Sequence, residues 1–567
     1  MPAISRDEFV GAVRAAREAL PAAEREGVTL AVPVSLRLLA DQLTPVLAYR
    51  RLVAPDERTA PSFLFESVEN ADRQGRYSLL GARPIAEVVA YGMVTTVHDH
   101  RGDRTRSTTH RRTDPIELIR AMSGRMRIAA APELAERGML PRCAWCGWFG
   151  YASYDTVRYA EPGKLDLRDA PEDDRRLPDV QFGFYDGVVA FDHVQQSVYV
   201  VQVPLIGGGD DAGEAYDGAI AKLEARETAI QRHARPLPSG RVPAQPPARA
   251  MPSNTTRAEH RAMVERAKRY IQAGDIFQVV LGQRFERTSP ADPFDVYRAL
   301  RAVNPSPYMV YMQAPPTLLV ASSPEILCRV EPVETGEGTR GLRVTNRPLA
   351  GTRRRGETPE EDARLATELL GDPKERAEHA MLVDLGRNDV GRVARPGTVS
   401  LDAAFEIERY SHVMHISSTV TGLLREGLDA WDALRAALPV GTISGAPKIR
   451  AMQIIDELEK KRRGPYGGGI GYVTVDGAMD IALALRTIVV PLSDAEGNSM
   501  APAADGRWLY HVQAAGGIVA DSDPDAEFEE TVNKAAALGR AIDVAETAFA
   551  PPADPDSAPD AEQAGEG

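Results

Sequence analysis

The sequence predicts an α+β fold of large, mostly antiparallel β-sheets covered by helices. Three observations predict it. The chain is long, 567 residues with 43% apolar and 26% charged residues, so it can bury a large core. Its first half is dense in short strand-like segments, and its second half mixes strands and helices without a regular βαβ rhythm. No repeat of 20–50 residues is present to suggest a solenoid or propeller.

In chain order, residues 4–26 read as an amphipathic helix with Phe9, Val10, Val13 and Leu20 on one side. The segments 34–41, 43–50 and 62–69 read as a helix start followed by short strands, ending in G-R-Y-S-L-L-G at 75–81. Strands are predicted at 85–98, 144–152, 181–192 and 197–204. Cys143 and Cys146 form a C-x-x-C without a second pair and among aromatic residues, which reads as a reduced core strand with no metal or redox role. With Cys328 they are the three cysteines of the chain, too few for a disulfide framework.

Residues 1–232 form one sequence region, and 233–255 a proline-rich linker without periodicity. A second region, 256–548, begins with a helix at 257–273, the strand D-I-F-Q-V-V-L-G-Q-R-F, a helix at 293–302 and strands at 308–314 and 317–321. The tail, 549–567, is acidic and predicted to be disordered. The charge, 67 basic against 81 acidic residues or −14, excludes a nucleic-acid surface, and no apolar run is long enough to span a membrane. The N-terminus lacks a signal-type apolar stretch, so the expected location is cytoplasmic.

The chemistry-bearing stretch is D-P-K-E-R-A-E-H-A-M-L-V-D-L-G-R-N-D, 372–389. Asp372 reads as an N-cap and Pro373 as the first helical residue. Glu378, Leu382 and Leu385 follow at i, i+4 and i+7, with Glu375 one turn earlier, so two carboxylates extend an apolar stripe. The pattern recurs at Asp523–Pro524, followed by Glu527, Glu530, Lys534 and Leu538 on one face. Two converging Glu-x-x-Glu faces make an oxygen-only site, the donor type that suits Mg2+. Glycine-rich turns at 348–353, 441–448, 466–472 and 513–519 match neither a P-loop nor a dinucleotide fingerprint. Arg486 lies inside D-I-A-L-A-L-R-T-I-V-V, which reads as one apolar strand, where a buried guanidinium needs an anion.

Residues 257–540 resemble the chorismate-utilising enzymes and, within them, the large-subunit branch that makes anthranilate. The motifs are A-G-D-I-F-Q-V-V-L, N-P-S-P-Y-M, S-S-P-E, R-P-L-A-G-T-R, E-H-A-M-L-V-D-L-G-R-N-D, R-Y-S-H-V-M-H, G-T-I-S-G-A-P-K, R-R-G-P-Y-G-G and the stretch 521–534; L-F-E-S and G-R-Y-S-L-L-G extend the resemblance to the first half. The resemblance implies sheets packed as a sandwich with helices outside. It implies Mg2+ held by Glu378 and Glu530, with Glu375 and Glu527 acting through water. Chorismate would contact Gly351, Thr352, Tyr466, Arg486, Gly516, Gly517 and Lys534. Glu325 would be the general acid for the departing 4-hydroxyl, His415 the base for pyruvate loss, and Thr442 a further catalytic position; His412 reads as structural. Ala515 stands where the family usually has glycine, so a positive φ there would strain it.

Relatives that add water carry a lysine at the position of Gln278, and those that make aminodeoxychorismate carry one at Ala350. Neither lysine is present, so the nucleophile is expected to be free ammonia. No G-x-C-x-G nucleophile turn is present, which implies a separate glutamine amidotransferase subunit, in a heterotetramer. The resemblance further implies feedback inhibition by tryptophan, bound by Glu66, Ser67, Pro307, Tyr308 and Met309. The alternatives are a 2-amino-2-deoxyisochorismate or aminodeoxychorismate synthase and, from another class, a non-catalytic tryptophan-sensing subunit.

Overall fold

The computed structural model describes residues 2–39, 41–54, 57, 60–67, 75–233, 236–243, 249–335, 339–410, 413–494, 496–500, 502–503 and 505–549. Among them, two large sheets carry the fold. One runs, in spatial order, through Val34–Leu39, Ser197–Gln202, Val189–Asp192, Tyr77–Ala82, Ser62–Glu66, Tyr308–Ala314, Thr317–Ser323, Thr487–Pro491, Trp508–Ile518, Gln278–Ser289 and Gly445–Ala446. The other runs from Leu349–Arg354 through Val413–Leu423, Thr339–Asn346, Ile326–Thr335, Met479–Leu483, Gly469–Thr474, Gly147–Ala152, Val180–Tyr185, Ala86–Tyr91 and Val94–Asp99 to Arg106–Arg111, with Ser400–Arg409 also on Val413–Leu423. Pairing within both is antiparallel; the parallel pair is Thr29–Ala31 with Met126–Ile128 in a small third sheet.

Both sequence regions contribute to both large sheets. Ser62–Glu66 pairs with Tyr308–Ala314, and Gly147–Ala152 pairs with Gly469–Thr474. The sheets face each other across an apolar core in which Phe63 of one stacks on Phe149 of the other, ring centroids 4.2 Å apart. Burying such a ring contributes about 1.5–3 kcal/mol. The described parts of the linker, 236–243 and 249–254, hold no helix or named strand; the Arg241 amide donates to the Ala548 carbonyl at 3.1 Å. The expected tail from 550 onward and His412 lie outside the described residues. Among those described, no helix is long and apolar enough to cross a membrane.

The structure corrects four sequence expectations. The first helix, Arg6–Ala19, ends well before residue 26, because Leu20 caps it in an extended conformation and Pro21 follows. The 34–41 segment is a strand, Val34–Leu39, whereas 43–50 supplies a helix, Pro45–Leu52, started by Thr44 accepting from the Leu47 amide. The C-x-x-C precedes rather than joins its strand, which begins at Gly147; all three cysteines are free. Finally, the apolar stretch around Arg486 is two strands in different sheets, broken where Arg486 takes φ +45°.

That break positions the site. The chain crosses from one sheet to the other through Pro324–Glu325, and back through Ala484–Arg486. The crossings lie side by side: the Leu483 amide donates to the Glu325 carbonyl at 3.0 Å, the Ser322 amide to the Arg486 carbonyl at 3.1 Å, and the Ser323 hydroxyl to the Leu483 carbonyl at 2.5 Å.

Candidate active site

Strands that leave a sheet expose backbone and side chains which a continuous ladder would pair. Glu325 is such a residue, held at the crossing by the Ser323–Leu483 contacts and 6% exposed. Burial pushes its carboxyl up to about 8, opposed by hydrogen bonds from Thr442 and from the Leu349 backbone. The Thr442 hydroxyl donates to Glu325 Oε1 at 3.3 Å from the short turn Gly441–Ile443. Glu325 is therefore a carboxylic acid that remains protonated at neutral pH.

His415 is placed by a bulge. Leu349–Arg354 pairs with Val413–Leu423 at Ala350 and again at Arg353, so Gly351 and Thr352 are displaced from the ladder. Gly351 has φ +64°, where a glycine is favoured, and its carbonyl meets His415 Nδ1 at 2.8 Å. A carbonyl only accepts, so Nδ1 carries the proton, with Thr352 Oγ1 3.2 Å away. Nε2 is left with its lone pair. Burial lowers the His415 pKa, against the Gly351 hydrogen bond that raises it, and Arg486 lowers it further, which favours the neutral ring.

The two acidic helices are Pro373–Val393 and Pro524–Ala548. Asp372 accepts from the Lys374 and Glu375 amides, and Asp523 from those of Asp525 and Ala526, so both begin as the sequence predicts. Acids near their N-termini lie close enough to repel one another. The Glu378 carboxyl is raised by burial, then by Glu375 and by Glu530 of the other helix. The Glu527 carboxyl is also raised, by burial first and also by Glu530, and its Oε2 is buried without a hydrogen-bond partner. Lys534 pairs with Glu530 at 2.6 Å, and Arg353 with Glu375 at 3.2 Å.

Among the described residues, no three His, Cys, Asp or Glu side chains are gathered closely enough to hold a metal by themselves. Mg2+ does not require that, since it is commonly held through one or two carboxylates with waters and substrate oxygens completing the shell. An orphaned buried carboxylate oxygen, and acids raised by burial and further by one another, fit such an ion: a divalent cation would relieve both.

A cavity of about 740 Å³ lies between the strand of His415, the Arg486 turn and the second acidic helix. Thr352, His415, Arg486, Glu530 and Lys534 line it, as do Pro324, next to Glu325, and Asn304–Ser306. Arg486 is half-buried at its turn, where it reaches the cavity. Behind the wall, the buried Tyr466 hydroxyl bonds the Ala515 backbone, and Lys534 donates to the Ala515 carbonyl at 2.9 Å. Ala515 lies in the strand Trp508–Ile518 without a positive φ, so alanine brings no strain here. A Cβ on Gly516 would stand 3.0 Å from Glu527 Oε2, and one on Gly517 2.6 Å from Gln278 Nε2. Glycine at both lets the acids and the Gln278 amide approach the strand.

The expected effector residues are also brought together. Glu66 stands opposite Met309 across paired strands. Its buried carboxylate accepts from the Tyr297 hydroxyl at 2.6 Å and pairs with Arg301 at 2.8 Å. The Ser67 hydroxyl is buried without a partner, Pro307 is buried, and Tyr308 donates to Asp480 at 3.0 Å. Pro305 and Ser306, immediately before Pro307, line the cavity, so one loop touches both places.

Sequence reasoning passed over Arg353, Tyr410 and the buried pair Lys448–Asp389. All four stand inside or at the ends of quoted motifs, where a charged or aromatic residue in a glycine-rich or helical stretch was the available signal.

Residues 61–540 match the profile of a family described as chorismate binding enzyme. The chain is 51% identical over 530 residues to anthranilate synthase alpha subunit 2, chloroplastic, of Arabidopsis thaliana, covering 91% of this chain and 82% of that protein. It is 45% identical to anthranilate synthase component 1 of Thermus thermophilus, covering 91% and 98%. Among solved structures it is similar to anthranilate synthase component I from Streptococcus pneumoniae TIGR4, with TM-score 0.64, 31% identity and coverage of 88% and 98%. The menaquinone-specific isochorismate synthase of Escherichia coli, TM-score 0.59 and 17% identity over 94% and 99%, shares the fold.

Proposed function

The chain belongs to the chorismate binding enzyme family, and from that premise we propose that it is the large subunit of an anthranilate synthase, turning chorismate and ammonia into anthranilate, pyruvate and water. The carrying observation is a carboxylic acid kept protonated at neutral pH, Glu325, directly behind Pro324 of a cavity that a neutral histidine base lines.

The residues divide the reaction. Hydroxide is a poor leaving group, so Glu325 gives its proton to the 4-hydroxyl as ammonia bonds at C2, and water departs. Thr442 stabilises the carboxylate that results. His415 Nε2 then takes the C2 proton; the electrons rebuild the ring's aromaticity as the bond from C3 to the enolpyruvyl oxygen breaks, releasing pyruvate after protonation. Arg486 binds a substrate carboxylate, and Gly516 and Gly517 let the strand backbone approach the ring. Glu378 and Glu530 would hold Mg2+, with Glu375 and Glu527 behind them; the ion's contribution is to offset the negative charge of a substrate carboxylate. Neither Gln278 nor Ala350 offers an amine, which leaves C2 to external ammonia.

The ammonia would be supplied by a glutamine amidotransferase subunit, in a heterotetramer. Tryptophan would inhibit by binding between Ser67 and the 307–309 segment, where the unpartnered Ser67 hydroxyl and the buried Glu66 carboxylate provide polar recognition.

The test is to mix the pure chain with chorismate, Mg2+ and ammonium and follow anthranilate fluorescence, with and without tryptophan. Product that requires Mg2+ is expected; absence of product removes the reading. Ser67→Phe is expected to abolish a tryptophan effect that weakens chorismate binding about 5- to 150-fold in the parent. Equal sensitivity in both would move the effector elsewhere.

A further inference from the structure

We propose that the buried Lys448–Asp389 pair is a positioning clamp that holds the Gly441–Lys448 segment on the first acidic helix and so sets the placement of Thr442 against Glu325. The inference rests on the reaction proposed above. Lys448 Nζ meets Asp389 Oδ1 at 2.8 Å, with the Ala436 and Ala437 carbonyls at 3.4 and 3.5 Å. The two side chains are 8% and 3% exposed. A buried ion pair of this kind adds little net stability, because desolvation offsets attraction and apolar replacements are often neutral or better. What it supplies is direction: only one arrangement of the two segments satisfies both charges.

The contacts show what is directed. Leu385 and Asp389 are one turn apart on one face of Pro373–Val393. Leu385 packs on Gly441 so closely that a Cβ there would stand 2.3 Å from its Cδ1, while Asp389 takes Lys448. The helix thus grips both ends of the 441–448 segment, and Thr442 lies between them with its hydroxyl on Glu325. The same segment is fixed on its other side by Arg463, which donates to the Ile443 carbonyl at 2.6 Å, and by the pairing of Gly445–Ala446 with Gln278 and Val279. At its opposite end this helix carries Glu375 and Glu378. One rigid element therefore ties the acidic wall to the donor that serves the acid. Lys448 and Asp389 are positioning residues; neither lines the cavity.

The charges around the clamp are few: Arg392 acts on both partners, and Glu325 is shifted only by burial, Thr442 and the Leu349 backbone. Thr442's hydrogen bond lowers the Glu325 pKa, so loosening the segment should move the acid's titration upward.

The experiment compares the parent, Lys448→Met/Asp389→Leu, Thr442→Val and the triple variant in kcat, KM for chorismate and the pH profile of kcat. Anthranilate from the parent establishes the underlying reading before any variant is judged. The clampless double variant is expected to keep its fold and KM, to lose about 10- to 100-fold in kcat, and to shift the alkaline limb to higher pH, as Thr442→Val does. Adding Thr442→Val to it should cost little more, because both changes act through one hydrogen bond. A folded double variant with parental kcat and limb, or losses that multiply in full, overturns the proposal. If the double variant does not fold, Lys448→Arg, which keeps the charge but lengthens the arm, carries the test: a shifted limb supports the clamp, and a parental limb overturns it.

Discussion

Two walls of the site carry carboxyl groups whose titration is shifted in the same direction for different reasons. On the sheet wall, Glu325 is raised to about 8 with burial as the only cause pushing it up. On the helix wall, Glu378 is raised by burial and by two other acids, and it is only half-buried. The difference teaches which group can do what. A lone buried acid keeps its proton and can give it to a leaving group. Clustered acids raise one another, and a cation placed among them would favour their charged forms.

The largest expected effect breaks the sheet wall. Glu325→Gln should lower kcat about 10²- to 10⁴-fold, the usual share of a general acid. In the parent, kcat should fall as pH rises through about 8, because the acid is then deprotonated. In the variant's residual activity that limb should be absent; if it persists, another group is the acid.

A smaller effect separates the members of the helix wall. Glu375→Gln should raise the Mg2+ needed for half-maximal turnover about 10- to 100-fold, as for a residue acting through a ligand. Glu378→Gln should raise it further. Equal increases would erase the distinction between direct and water-mediated acids, and no increase in either would place the ion elsewhere.

The smallest effect is on stability. The folded Glu325 carboxyl binds its proton up to about pH 8, whereas the unfolded one releases it in the ordinary carboxylate range. Between these values the folded chain holds the extra proton, so Glu325 costs stability as pH rises through that window. Glu325→Gln removes this cost: its thermal midpoint should exceed the parent's by about 2 °C above pH 8 and approach it at acid pH. A midpoint difference that does not grow with pH would show that the acid is not held by burial.

Local chemistry alone determined much of this chain. Asp372–Pro373 and Asp523–Pro524 start helices because a side-chain cap and a pre-set φ need no distant partner. The α+β class followed from strand-dense patterning for the same reason. The motif residues were legible because a long motif keeps its residue types at fixed spacing, although their roles came from resemblance. Other features were set only by the tertiary structure. An apolar run such as 480–490 reads as one strand, since nothing in its periodicity marks Arg486 as the point where the chain changes sheets. The proton on Glu325 depends on burial by residues far away in sequence. The tautomer of His415 depends on a carbonyl exposed by a bulge in the neighbouring strand. Lys448 and Asp389 each look like an ordinary charged residue at a motif's end; that they face each other in the dry interior is a property of packing. Sequence determined which groups are present and which backbone turns they can start, and the fold decided which of them lose water and meet, because desolvation and direction exist only in three dimensions.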